Sequence, residues 1–180
     1  MRRAVFLDRD NTLIFDPGYI HEAEKVRLLE GVGEGLKLLK EAGYLLIVVS
    51  NQSGIGRGYF TEKEFWEVNR RLQQLLEPYG VQIDDFFFCP HRPDEGCLCR
   101  KPGTLMIERA ARKWGIAVEE SFVVGDKEID VELAFRSGCR GGIRVGAPPF
   151  ENFLKAAHFI LGGGGEALRE DKDQTGRLRG

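Results

Sequence analysis

The chain of 180 residues is 42% hydrophobic and 30% charged, with a formal net charge of −2 at pH 7. That length suits one domain with a real core, and the near-neutral charge gives no global field to attract nucleic acid or an anionic membrane. The apolar run behind the first arginines stops after four residues, too short for a signal peptide or a membrane span, so a cytoplasmic location is expected.

Short continuous apolar runs alternate with amphipathic stretches. The run AVFL at 4–7 reads as a buried strand. Residues 32–42 carry Leu36, Leu38 and Leu39 and end at Gly43, a helix with a glycine stop. A strand follows at 44–49. Thr61 with Glu64 three residues on forms a capping box, and Phe65, Val68, Leu72, Leu75 and Leu76 recur at helical spacing behind it. Further strands are expected at 83–88, 121–124 and 142–145, with helices at 104–114 and 128–137 between them. Pro148 and Pro149 open a last helix to Ala157, and 158–161 reads as a sixth apolar strand. The rhythm predicts an α/β fold, an open and mostly parallel Rossmann-like sheet flanked by helices with right-handed crossovers. Residues 1–161 form the single expected domain. The glycine-rich and then charged stretch 162–180 reads as a mobile tail, with a helical extension at 166–172 as its alternative.

In such sheets ligands bind beyond the carboxyl ends of the strands. The first strand runs into Asp8-Arg9-Asp10-Asn11-Thr12, the second into Ser50-Asn51-Gln52-Ser53-Gly54, and a later one into Gly125-Asp126-Lys127. Arg100 and Lys101 stand just before a helix. A D-x-D turn alone reads as a solvated loop; with Ser50, Lys101 and Asp126 on matching ends it reads as a site. The inventory suits phosphoryl transfer. Asp8 can attack phosphorus, and Asp10 can protonate the leaving alkoxide and then activate water. Asp8 and Asp126 can share Mg²⁺ with phosphate oxygen, while Ser50 and Lys101 hold the remaining phosphate charge.

In order along residues 4–145, "FLDRDNT", "VVSNQSG", "RKP" and "VVGDKEID" resemble the four motifs of the haloacid dehalogenase-like phosphohydrolases. The resemblance implies Asp8 as nucleophile, Asp10 as acid/base and lender of its backbone carbonyl to Mg²⁺, and Asp126 as the magnesium carboxylate. The family commonly has glycine where this chain has Asn11. Asparagine tolerates a left-handed backbone, so the turn can survive. Asp130 reads as either support for the site or surface, and Cys139 as a packed thiol.

The stretch "FFFCPHRPDEGCLCRKP" places Cys89, His91, Cys97 and Cys99 in spacing for tetrahedral Zn²⁺. Four protein ligands leave no open position, so this metal is expected to be a structural staple for a loop without a core of its own. Together with "DPGYIHE" and "NQSGIGRGYF", the loop resembles the family's phosphatases of sugar bisphosphates and of histidinol phosphate. By that resemblance Asp16, Gly18, Tyr19, Ser50, Asn51, Gln52, Ser53, Arg100, Lys101 and Lys127 contact substrate. Neither family insertion point holds enough chain for a separate cap domain, so short loops must set specificity.

Arg57, Arg92, Arg100 and Lys101 carry more positive charge than one transferring phosphate needs. That favours a bisphosphorylated sugar cleaved at its primary phosphate. Expected partners are therefore a small sugar phosphate, Mg²⁺ and Zn²⁺, with no nucleic acid, no membrane and a monomeric chain. A zinc-stabilised binding module with a vestigial pocket is the non-enzymatic alternative.

Overall fold

The computed structural model describes residues 1–162. Five strands are present: β1 (Ala4–Leu7), β2 (Leu45–Asn51), β3 (Asp85–Cys89), β4 (Phe122–Gly125) and β5 (Gly141–Arg144). The helices are α1 (Val32–Glu41), α2 (Ser53–Gly56), α3 (Glu62–Leu76), α4 (Leu105–Trp114), α5 (Glu128–Ser137) and α6 (Phe153–Leu161). All strand pairs are parallel and the sheet order is β3-β2-β1-β4-β5. The four-residue β1 lies at the centre and must be apolar on both faces. Val5 and Leu7 pack with Leu36 and Leu39 of α1, Val68 and Leu72 of α3, and Phe153 and Ala157 of α6. Ala4 and Phe6 face the other way, toward Met106, Ile107 and Ala110 of α4 and Leu133 and Ala134 of α5.

Local signals account for the boundaries. Glu64 N donates to Thr61 Oγ1 at 3.1 Å and Thr61 N donates to Glu64 Oε1 at 2.9 Å, the capping box that starts α3. The end of the chain differs from the sequence reading. Residues 158–161 are the last turn of α6 and not a strand. Phe153, Ala156, Ala157 and Ile160 recur at helical spacing and are all buried, so the run is one apolar face of a helix laid on α1. That helix opens at Asn152, whose side chain accepts from Lys155 N at 3.1 Å, and Pro148 and Pro149 sit in the turn before it. The expectations for the tail fall on 163–180, outside the described residues. No helix among the described residues is long and apolar enough to cross a membrane.

Register places the site. Leu7 pairs with Val48 on one side and Val124 on the other, so β1, β2 and β4 deliver their carboxyl ends to one edge. Beyond it the chain folds back on itself, and the Arg9 carbonyl accepts from Leu13 N at 2.9 Å and Ile14 N at 3.2 Å. Asn11 takes the left-handed backbone at φ 60°, and its side chain caps the turn by accepting from Asp16 N at 2.9 Å.

Candidate active site

Asp8 leaves β1 with its amide donating to the Val124 carbonyl at 2.9 Å. Its carboxylate emerges at an open cavity of about 360 Å³. Lys101 reaches it from the segment before α4. The ammonium donates to Asp8 Oδ1 at 3.1 Å, Asp130 Oδ1 at 2.8 Å and the Val49 carbonyl at 2.9 Å, so all its donors are used. Burial opposes the charge on Lys101, yet the two carboxylates outweigh it and hold the ammonium above the usual lysine range. Burial dominates at Asp8 too. Against the pull of Lys101, and aided by Asp126 and Asp10, it pushes the Asp8 carboxyl up to about 7. Asp130 is likewise raised, chiefly by burial.

Neighbouring chain holds this group in place. Asn51 clamps the main chain of Lys101: its Oδ1 accepts from Lys101 N at 2.9 Å and its Nδ2 donates to the Lys101 carbonyl at 3.3 Å. Asp130, in the first turn of α5, also accepts from Lys127 N through Oδ2 at 3.2 Å. It can lean in because residue 125 is glycine; a Cβ there would lie 2.2 Å from the Asp130 carboxyl carbon. Asp126 Oδ1 accepts from Thr12 Oγ1 at a long 3.4 Å. Oxygens of Asp8, Asp126 and Asp130 all lie within 4.8 Å of one another. Three carboxylates against one ammonium make a negative centre of oxygen donors, which suits a hard divalent cation.

Asp10 turns to different partners. Arg9 Nε donates to Asp10 Oδ1 at 2.8 Å, and Gln52 Nε2 donates to Asp10 Oδ2 at 3.0 Å and to Ser50 Oγ at 2.7 Å. Two carboxylates one residue apart thus sit in separate environments, one beside a lysine and one in an arginine–amide cradle. Such a split of surroundings suits the two carboxylates to different tasks.

The cavity brings together Asp8, Asp10, Asp16, Gly18, Tyr19, Asn51, Gln52, Ser53, Arg57, Arg100, Lys101, Asp126 and Lys127. Ser50 stands behind this lining, buried against the Gln52 amide. Arg92 also lies outside it and pairs with Asp94 at 3.3 Å, while Lys127 supplies a lining cation. Asp16 organises the loop that carries Tyr19, its Oδ1 accepting from Gly18 N and Ile20 N, each at 2.9 Å. The Tyr19 ring meets Tyr59 edge-on at 4.8 Å.

A HAD-hydrolase-like family model matches residues 98–145, the stretch from the cysteine loop through β5. The D-glycero-beta-D-manno-heptose-1,7-bisphosphate 7-phosphatase of Haemophilus ducreyi is 42% identical over 80% of this chain and 83% of its own. The chain belongs to this phosphatase family. The Helicobacter pylori J99 member is 44% identical over 87% of this chain and 88% of its own. The crystal structure of D,D-heptose 1,7-bisphosphate phosphatase from B. bronchiseptica, complexed with magnesium and phosphate, matches with a TM-score of 0.80 at 25% identity. It spans 89% of this chain and 98% of that one.

As a heptose-bisphosphate phosphatase family member, the chain carries a second cluster beside the first. Cys89 Sγ lies 2.7 Å from Cys99 Sγ, 3.3 Å from His91 Nδ1 and 3.5 Å from Cys97 Sγ, and His91 Nδ1 lies 3.2 Å from Cys99 Sγ. Three thiols and one imidazole converge on a single point, a donor set that fits Zn²⁺. This loop is fastened to the substrate side. Gln52 N donates to the Cys89 carbonyl at 2.8 Å and Gly56 N to the Pro90 carbonyl at 2.9 Å. A Cβ on residue 56 would sit 2.6 Å from that Pro90 oxygen, so only glycine permits the approach.

Two residues of this family member escaped the sequence reading as parts of the site, Arg9 and Asn69, while Asp130, read as either support or surface, turns inward to Lys101. Asn69 had a visible signal, a lone amide four residues after Phe65 on the apolar face of α3. Arg9 continues the Val5, Leu7 alternation onto the face that α3 covers, a signal that needs the position of α3 to be read.

Proposed function

We propose that the chain is a Mg²⁺-dependent phosphatase that hydrolyses the C7 phosphate of D-glycero-β-D-manno-heptose 1,7-bisphosphate, with residues 1–161 acting as one catalytic domain in a cytoplasmic monomer. The observation that carries the reading is the division of labour at the end of β1: Asp8 beside Lys101 and facing Asp126, Asp10 turned into the Arg9–Gln52 cradle. The names of the curated relatives and the magnesium and phosphate in the B. bronchiseptica structure support the substrate and the metal.

Asp8 Oδ attacks phosphorus and the bond to the C7 oxygen breaks, leaving an aspartyl-phosphate. Asp10, protonated, gives its proton to the departing alkoxide. As a carboxylate it then takes a proton from water, whose oxygen attacks phosphorus and frees Asp8 and inorganic phosphate. Asp8, Asp126 and the Asp10 carbonyl would hold Mg²⁺, which keeps Asp8 ionised and offsets phosphate charge. Lys101 compensates the charge on Asp8 and, through it, on the transferring group. Asp130 has both oxygens engaged by Lys101 and Lys127, which makes it a support for the ammonium. Cys89, His91, Cys97 and Cys99 hold structural Zn²⁺ and fix the segment that leads to Arg100 and Lys101.

Arg57, Arg100 and Lys127 line the cavity around the reacting end. Their surplus charge serves a second phosphate on the substrate, remote binding energy used at the other end of the sugar. Asp16, Gly18, Tyr19 and the 51–53 segment complete the substrate surface, with Ser50 behind it holding the Gln52 amide. Comparing heptose 1,7-bisphosphate, heptose 7-phosphate and histidinol phosphate, with phosphorus NMR of the products, tests this. Release of the C7 phosphate with the highest kcat/KM for the bisphosphate is expected. Release of the C1 phosphate, or a higher kcat/KM for histidinol phosphate, overturns it.

A further inference from the structure

Arg9 is the largest fully buried side chain in the described protein, with no exposed surface. A guanidinium is costly to bury, and a chain that buries one must satisfy its donors and its charge. Among the described residues Arg9 faces a single carboxylate, Asp10, through Nε at 2.8 Å and Nη2 at 3.4 Å. On its other side Nη1 donates to Asn69 Oδ1 at 2.8 Å, and the guanidinium carbon lies 4.8 Å from the centre of the Phe65 ring. Asn69 and Phe65 both belong to α3, so Arg9 ties Asp10 to a rigid, capped helix.

The amide of Asn69 shows what this tether requires. Asn69 is buried, and among the described residues its Nδ2 has no hydrogen-bond partner. Turned the other way, its donor would face the cation. The fold therefore leaves one buried donor unsatisfied to keep an acceptor on Arg9, a cost accepted only where the arginine's orientation matters. Gln52 holds the second oxygen of Asp10 from the opposite side at 3.0 Å. Together they hold both Asp10 oxygens from opposite sides while Asp10 lines the cavity.

We propose that Arg9, braced by Asn69 and Phe65 of α3, is the positioning residue that aims Asp10 for both of its proton transfers. The proposal rests on Asp10 being the acid/base of the function proposed above. It separates Arg9 from a plain structural tie, because aim matters only in steps where Asp10 moves a proton. With an alkyl phosphate, Asp10 acts in forming and in hydrolysing the phosphoenzyme. With p-nitrophenyl phosphate the leaving group needs no proton, so only hydrolysis depends on it.

The test compares Arg9→Met, which keeps the stem packed on Phe65 while removing the fork, with the parent and with Asp10→Asn, all loaded with Mg²⁺. Rapid-quench measurement follows both substrates. A misaimed acid/base should lose part of the 10²–10⁴-fold that such catalysis contributes. We expect a fall on the order of tenfold to a hundredfold in kcat for the alkyl phosphate, with KM within about twofold. For p-nitrophenyl phosphate, formation of the phosphoenzyme should hold near the parent rate while its hydrolysis slows, giving a burst of nitrophenol absent from the parent. Asn69→Ala, which loosens the brace without touching the Arg9–Asp10 pair, should give the same pattern at smaller amplitude and serves if Arg9→Met does not fold. An equal fall in both steps for both substrates, while Asp10→Asn shows the split, overturns the role of Arg9. Absence of the split in Asp10→Asn itself overturns the acid/base assignment of Asp10 and this proposal with it.

Discussion

Replacing Lys101 by methionine isolates the electrostatics of the site from its packing, since the two side chains have similar length and volume. At an effective dielectric of about 20, unit charges at the observed 3.1 and 2.8 Å attract by about 5–6 kcal/mol each. Desolvation of the three buried groups cancels most of that. Removing one partner restores none of the solvation of the others, so the net loss should be about 3–5 kcal/mol. Against a total stability of about 5–15 kcal/mol this is severe but compatible with folding.

The loss must depend on pH, and the direction follows from the two carboxyls. Both Asp8 and Asp130 are raised above their unfolded value of 3.8 even with Lys101 present. Lys101 pulls them down, so Lys101→Met raises them further. A folded state that binds more protons than the unfolded one loses stability as pH rises. The deficit of the variant should therefore be smaller at pH 5, where Asp8 holds its proton, than at pH 8. Urea unfolding of both proteins in Mg²⁺-free buffer at the two pH values measures this. The same deficit at both values would refute the argument, because it would mean the cost lies in packing and not in uncompensated charge.

Asp8→Asn should lower turnover by at least about a thousandfold, the scale lost with a nucleophile that acts as a unit with its partners. The same variant should be no less stable than the parent at pH 8 without Mg²⁺, since a buried carboxylate pushed up to about 7 is replaced by a neutral group; a lower urea midpoint would contradict this. Metal analysis of protein purified without chelator should find one zinc per chain. Cys97→Ser should reduce the zinc content and raise KM for the phosphorylated substrate while leaving the Mg²⁺ dependence of the rate in place; unchanged zinc content would remove Cys97 from the ligand set.

The elements of the fold were readable because their signals are local. Runs such as AVFL state their burial within a few residues, and the Thr61–Glu64 box marks the start of α3 by itself. Parallel topology then sends every strand's carboxyl end to one edge, so Asp8, Asn51 and Asp126 could be gathered without knowing any distance. The error at 158–161 has the same origin. A short apolar run fits a buried strand or the face of a helix, and only the pairing of Phe153, Ala156 and Ala157 with it decides. The side-chain partners were hidden for the opposite reason. Lys101 and Asp8 are 93 residues apart, and Arg9 and Asn69 are 60 apart. Nothing local tells which acid each cation will meet, or that Asp130 turns inward past a glycine.

Two carboxylates one residue apart at the end of a buried strand pose a problem of repulsion, and the geometry around β1 answers it by separating them. Alternate positions of a strand point to the same face, but residues 8 and 10 lie past the end of β1, where the turn begins. The chain bends between them, and each acid meets a cation carried by a different element: Lys101 from the segment before α4, Arg9 from the turn itself but anchored on α3. The choice of cation matters. The Lys101 ammonium is a compact charge whose donors are shared among two acids and a carbonyl, so it engages only one oxygen of Asp8. The Arg9 guanidinium is a planar fork that spans one carboxylate and fixes its plane. A nucleophile needs an available lone pair, whereas an acid/base that acts twice needs an unchanging direction. On the roles proposed for Asp8 and Asp10, exchanging the two cations would serve neither acid, so the identities of Arg9 and Lys101 match the proposed tasks of the carboxylates they hold.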